Sequence, residues 1–422
     1  MQHSQRGRSK GKGWRITLAG VLATFLLIAA TKARTPTFNV IYDFSPANGS
    51  MSTGTLFLDG AGRLYGTLQQ GLYGNCNFNG SAFQLKPVGS GWTLNPLHCF
   101  VGGDNDGAYP IDHGGLTIGP DGALYGTTSM GGISNGAYTL GVVFKLSPPA
   151  RVCTRALCPW TETLLYEFQG PPDGALPHGN VAFDASGNLY GTTSQGGAAG
   201  YGIVFELTPS GSGWTENILY SFTTESGGTY PEAGVVVDSA GNVYGVGTRN
   251  GQHGQGSVYK LSRSGSGWTL NTIYSFLGGS DGAGPVGGLV LDEAGNLYGS
   301  TAAGGVGNGG TVFQLSPSGD NWTETTLCSF TGSYGSYSSL TLDAAANLYG
   351  TTYRDGALDG GSVFKVTWSG SNWTCTDLHD FQQGTGGVNP IGGVTVAPNG
   401  KLYGTTSAGG AYGNGVVWEI TP

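Results

Sequence analysis

The stretch LDEAGNLYGSTAAGGVGNGGTVFQLSPSGDNWTETTLCSF, Leu291 to Phe330, is a string of short apolar runs separated by turn residues. With the preceding Gly287 to Val290, the runs are GGLVLD, NLYGST, GTVFQLS and WTETTLCSF. Each has strand length and β-branched or aromatic content, with turn formers on both sides. The first two are joined by DEAGN, in which an Asp that can bond its own turn precedes a Gly able to take positive φ, the chemistry of a tight hairpin. DASGN (Asp184 to Asn188) and DSAGN (Asp238 to Asn242) repeat that link, and the third and fourth runs are joined as tightly by SPSGDN or SGSG. The second-to-third links (TAAGGVGNGG) and the links between copies (LGGSDGAGPVGG) are longer and rich in glycine.

The same four runs surround every (L/V)YG tripeptide, with tyrosines at Tyr65, Tyr125, Tyr190, Tyr244, Tyr298, Tyr349 and Tyr403, spaced by 60, 65, 54, 54, 51 and 54 residues. Four strands per copy and seven copies predict an all-β chain, a seven-bladed β-propeller with four antiparallel strands per blade. FNVIYDF (Phe38 to Phe44) is a lone fourth strand and VVWEITP (Val416 to Pro422) a third strand, so the last blade is expected to be closed by the N-terminal strand. Such closure removes an exposed edge; a β-solenoid or a string of small sheets, the competing architectures, would not require the ends to complement each other. In an up-and-down sheet both kinds of longer link fall on one face, the expected working surface. Residues 1–33 are read as a signal peptide and 34–422 as one propeller domain.

Recurrent residues have structural readings. Trp92, Trp160, Trp214, Trp268, Trp322 and Trp373 each stand eight residues before a Phe that closes the fourth strand. Even spacing places both rings on one side of that strand, as inter-blade packing rather than an aromatic ligand platform. The glycine after each repeat tyrosine marks close approach of a neighbour. Pairs such as Gly287-Gly288 and Gly392-Gly393 open the first strands, where seven chains converge on the axis.

The frame P-x-G-G-(L/V)-x-(L/V)-D-x-x-G-N-L-Y-G-T-T…VFxLxP resembles the bacterial tandem repeat called GloVer, and more distantly NHL-type propeller repeats, over essentially everything after residue 37. The resemblance implies an exported propeller and no particular reaction. Anchored members carry a C-terminal sorting tail, which is not seen after Pro422, so any tether is expected at the N-terminus. TIGPDGALYGTT in the second copy also resembles the repeats of streptogramin B lyases, seven-bladed propellers that use histidine on the loop face.

The 80 glycines are balanced by 9 Trp, 21 Tyr and 17 Phe, enough to build a core. Of 18 Lys/Arg, six lie in the first 33 residues together with no acid, which leaves 12 against 26 acidic side chains, a net charge of −14. That surface repels phosphate backbones, so no nucleic acid partner is expected. The basic residues Arg6 to Arg15, the apolar run Ile16 to Ala30 and TKA ending at Ala33 have the layout of a secretory signal, with a retained anchor as the alternative. The mature chain is expected to have no membrane span, to be a monomer and to be extracytoplasmic (periplasmic, cell-surface or secreted). Cys153 with Cys158, and Cys76 with Cys99, are expected to form disulfides. Cys328 and Cys375 fall on adjacent blades four strand positions apart in height, which predicts that they stay unpaired. No C-x2-C knuckle, P-loop, dinucleotide fingerprint or fitting GxSxG elbow occurs, so no metal or cofactor is expected.

Two sets of loop residues could carry function. His113, His178 and His253, with Asp106, Asp112, Asp173, Glu232 and Arg249 near them, map to the long-link face and are the candidates for acid–base chemistry of the lyase type. Tyr73, Tyr109, Tyr138, Tyr201, Tyr230, Tyr337, Tyr353 and Tyr412 lie in long links beside Gly, Asn and Gln, and flat rings with polar tips suit a glycan or an extended protein segment. The favoured reading is a binding module rather than an enzyme, using Asp106, Tyr109, Asp112, His113, Asp173, His178, Tyr230, Glu232, Arg249 and His253; a structural envelope scaffold is the third class. The aspartates of GDNDG, PDG and SDG fall short of a calcium loop and are read as turn formers.

Overall fold

The computed structural model describes residues 35–71, 78–110, 115–133, 140–149, 159–211, 213–225 and 227–422; residues 1–34 and Cys76, Asp112, His113, Cys153 and Cys158 lie outside these ranges. Among the described residues there are seven four-stranded antiparallel sheets, two short pairings between links, and no helix. Blade 5 is representative: Val290–Leu291, Leu297–Ser300, Thr311–Ser318 and Asn321–Ser329, from the axis outward. Blade 7 takes its outer strand, Thr37–Asp43, from the N-terminal end, paired with Val416–Thr421 from Thr37↔Thr421 to Asp43↔Val416. Blade 7 packs on blade 1 through Phe44, Tyr403 and Val417 against Leu64, Phe83 and Leu85. The Gly393 amide also donates to Thr55 Oγ1 at 2.8 Å, which shuts the ring.

The hairpin aspartates act as expected. Asp292 Oδ1 accepts the amides of Ala294 (2.9 Å) and Asn296 (2.8 Å), while Oδ2 accepts the Asn296 side chain and the Tyr298 hydroxyl at 2.8 and 3.0 Å. One side chain thus closes the turn and ties it to the repeat tyrosine. Blade 7 has Ala397 at that position, and Tyr403 instead donates to Glu419 at 3.0 Å. The innermost strands are shorter than the apolar runs suggest, two residues each. Crowding at the axis accounts for this, since a Cβ on Gly287 would lie 2.3 Å from the Ser338 carbonyl of the next blade.

Blades are held together by aromatic rings. The closing Phe of each fourth strand meets the third-strand aromatic of the following blade, from Phe330–Phe364 at 4.8 Å to Phe381–Trp418 at 6.0 Å between centroids, in all seven junctions. The repeat glycine sits on that aromatic within its own blade: a Cβ on Gly299 would be 2.4 Å from Phe313 Cζ. Each repeat tyrosine described in a ring contact with a repeat tryptophan reaches the next blade, as in Tyr244–Trp322 at 6.1 Å. Inter-blade packing is therefore the role of these rings.

The expectation that Trp and Phe share one side of the fourth strand is incorrect. Every fourth strand carries a bulge; in blade 3 Phe205 pairs with Ile218 and Val204 with Tyr220, so Leu219 is an extra residue. One inserted residue inverts the alternation beyond it. Trp214 consequently packs with blade 2 (Phe168, Leu165), while Phe222 packs with blade 4 (Tyr259, Trp268). The extra residues Leu97, Leu165, Leu219 and Leu327 are all buried.

The same bulge overturns the prediction for Cys328 and Cys375, which form a disulfide with Cα atoms 5.8 Å apart. Cys328 follows the bulge and turns toward blade 6, where Cys375 precedes the bulge and turns back. Neighbouring outer strands are also staggered rather than level: the Trp160 amide, at the start of one, donates to the Leu97 carbonyl near the end of another at 2.7 Å. The stagger brings residues at different heights side by side, and the four-position offset of Cys328 and Cys375 does not keep them apart. Cys99 is disulfide-bonded, and its expected partner Cys76 lies outside the described residues.

Candidate functional site

Both kinds of long link lie on one face and are joined to each other. The link entering each blade pairs with that blade's second-to-third link: Ser50↔Gln70, Gly107↔Gly131, Gly174↔Gly196, Thr229↔Arg249, Ala283↔Ala303, Tyr334↔Arg354 and Val388↔Ala408. Seven such pairings give the face a second hydrogen-bonded layer above the blades. Five entering links place a non-glycine residue in the left-handed region just beyond this pairing: Met51, Tyr109, Leu176, Tyr230 and Asn389, at φ from 54° to 57°, whereas blade 5 has Gly284 there at 62°. Tyr230 is held by its amide donating to the Tyr201 carbonyl (3.1 Å) and its carbonyl accepting from Thr248 (3.4 Å). A left-handed tyrosine costs about 1–2 kcal/mol relative to an ordinary conformation, so the position is imposed by the surrounding bonds.

Two aromatic ledges stand on this layer. At the junction of blades 3 and 4, Tyr201 meets Tyr230 edge to face at 5.5 Å, and the Arg249 guanidinium lies 5.5 Å from the Tyr230 ring. At the junction of blades 5 and 6, Tyr353 meets Tyr337 at 5.5 Å and Tyr334 at 6.4 Å, with Arg354 5.6 Å from its ring. Tyr334, Arg249 and Arg354 are exposed. Burial, then the neighbouring Tyr334, Tyr353 and Glu232, push the Tyr337 hydroxyl above its ordinary range, so Glu232 of the first junction acts on the second. Below this face an axial cavity of about 180 Å³ is lined by Thr55, Phe57, Asn180, Ser339 and Thr341, among others.

The expected residues are divided between three places. Tyr201, Tyr230, Glu232, Arg249, Tyr337 and Tyr353 belong to the ledges. His178 stands at the inner end of its link beside Gly179, whose Cβ would meet Gly234 at 2.1 Å, whereas His253 is exposed in the turn closed by Gly254 bonding Gly251. That turn borders a rim cleft of about 630 Å³ lined by Glu225, Gln252 and Tyr274, so the two histidines occupy opposite radial ends of their links. Asp106 and Asp173 serve as turn formers at the outer rim: Asp106 accepts the Val101 amide at 2.6 Å, and Asp173 those of Gln169 and Gly174 at 2.8 and 2.5 Å.

Beside these two aspartates lie slots between the outer strands of adjacent blades. In the slot of blades 2 and 3, the Tyr166 hydroxyl lies 3.1 Å from Asp173 and 3.3 Å from Glu216. Burial, then Asp173, push Glu216 up to about 7, and burial pushes Glu324 of the blade 4–5 slot to about 7. The corresponding slots hold His98, Asp106 and Glu162 in the first junction and the Cys328–Cys375 bridge in the fifth.

Tyr334 and Arg354 escaped the sequence reading. Arg249 and Arg354 each stand five residues after a repeat tyrosine, so aligning the copies on (L/V)YG would have exposed the column. His98, Tyr166 and Cys328 likewise share the position two before the closing Phe.

A model of the Gloeobacter/Verrucomicrobia repeat matches residues 134–339 and 266–422. No curated protein matches the chain by sequence. Among solved structures, a candidate 6-phosphogluconolactonase from Bacteroides uniformis aligns at TM-score 0.48 and 16% identity over 81% of this chain and 88% of that one. A protein of unknown function from Dyadobacter fermentans aligns at 0.45 and 12% over 92% and 98%, and a candidate oxidoreductase (glucose dehydrogenase) from Thermus thermophilus at 0.40 and 14% over 73% and 98%.

Proposed function

The chain belongs to the Gloeobacter/Verrucomicrobia repeat family, and from that premise we propose that it is an exported binding module whose long-link face takes an extracellular glycan. The observation that carries this reading is the pair of Tyr/Arg ledges at 3/4 and 5/6, whose arginines, Arg249 and Arg354, share one repeat position on a hydrogen-bonded layer. Tyrosine rings offer flat apolar area to the C–H faces of sugars, while their hydroxyls and the guanidinium groups bond hydroxyls or carboxylates. Ledges held this way are pre-organised, which lowers the ordering cost of binding. Bridged cysteines suit an oxidising compartment outside the cytoplasm.

The test is retention of the full chain on a panel of immobilised polysaccharides, with Tyr230→Ala and Tyr353→Ala each expected to weaken binding at least tenfold. A surface that retains both variants as well as the parent, or a panel that retains nothing, removes the glycan reading. Capture of a protein partner dependent on the same tyrosines would replace the ligand and keep the face.

A further inference from the structure

The rim slot between blades 1 and 2 differs from its neighbours in one chemical respect. In the next slot the Tyr166 hydroxyl lies between two carboxyl groups, Asp173 and Glu216. His98 occupies that position here, with Nε2 3.2 Å from Asp106 Oδ1 and 3.4 Å from Glu162 Oε2. The three ligand atoms lie within 4.8 Å of one another. They come from three segments: the outer strand of blade 1, the link into blade 2 and the outer strand of blade 2. Asp106 and Glu162 side chains are each 9% exposed, and Glu162 Oε1 is buried with no hydrogen-bond partner.

A buried carboxyl oxygen without a partner is costly, and an imidazole nitrogen can offer a lone pair where a phenol offers a proton. Donor atoms bound at about 2.0–2.1 Å around a tetrahedral zinc ion are separated by about 3.3 Å, the spacing at which His98 already stands from both carboxylates. One imidazole with two carboxylates suits zinc rather than calcium, which takes about 6–8 oxygens. His98 is 18% exposed, leaving an approach for a water as fourth ligand. We propose that His98, Asp106 and Glu162 form a zinc-class divalent cation site that staples blade 1 to blade 2. The same slot is then closed by hydrogen bonds at one junction, by a disulfide at another and by a metal ion here.

The full chain, stripped with chelator and dialysed, should bind one equivalent of Zn²⁺ in a calorimetric titration, and Co²⁺ in the same site should give the intense visible bands of a tetrahedral complex. Glu162→Gln should weaken binding at least tenfold. His98→Tyr installs the residue that the next junction already accommodates, so it should fold and lose both the equivalent and the cobalt bands. His253→Ala should bind as the parent does. The site is refuted if the parent takes up no zinc, or if Glu162→Gln and well-folded His98→Tyr bind with the parent's affinity.

Discussion

At the scale of single residues, the repeat is built on a glycine packed too closely for a side chain to enter without displacing its neighbour. Gly299 lies against the Cζ end of the Phe313 ring, which also meets Phe276 of the preceding blade at 5.1 Å. A methyl group there would force the ring toward the neighbouring blade, and overpacking of this kind costs about 1–3 kcal/mol. Gly299→Ala should therefore lower the guanidinium midpoint without changing the denaturant dependence, and an unchanged midpoint would contradict the packing described. The glycine column was legible in the sequence as a site of close approach. Its partner was not, because the contact joins two strands whose register is set only when they pair.

At the scale of elements, the fourth strand decides how blades meet. Its bulge sends the tryptophan to one neighbour and the closing Phe to the other, and it turns Cys328 toward Cys375. The bridge spans 47 residues, for which the chain-entropy account gives about 4 kcal/mol of stabilisation as an upper figure. The Cys328→Ser/Cys375→Ser double variant should lose up to that amount in equilibrium unfolding and retain its strand content by circular dichroism. Equal stability of the two proteins would show that the staggered outer strands hold without the bridge. The bulge was hidden from the sequence reading because WTETTLCSF alternates acceptably on either side of Leu327. An extra apolar residue in an apolar run leaves no local mark.

At the scale of the whole molecule, stability depends on closure of the ring. The strand Thr37–Asp43 covers the edge of Val416–Thr421, and Phe44 fills the interface with Phe83 at 5.5 Å. Deleting residues 36–44 should leave an unpaired apolar edge, which invites pairing with other chains. Size-exclusion chromatography should then show larger species or aggregate relative to the parent, and a variant that elutes with the parent and unfolds cooperatively at the parent's midpoint would overturn the role given to this strand.

Repeat count, strand assignment, hairpin chemistry and ring closure were determined by the sequence alone, because they follow from local alternation and turn residues recurring at a fixed period. The tertiary structure decided which residues meet across blades: the side on which each outer strand presents its rings, the Cys328–Cys375 bridge, the two Tyr/Arg ledges and the His98–Asp106–Glu162 slot. Those contacts depend on a one-residue bulge and on the stagger of neighbouring outer strands. Both are consequences of packing twisted sheets around an axis, and neither is encoded at any single position of the repeat.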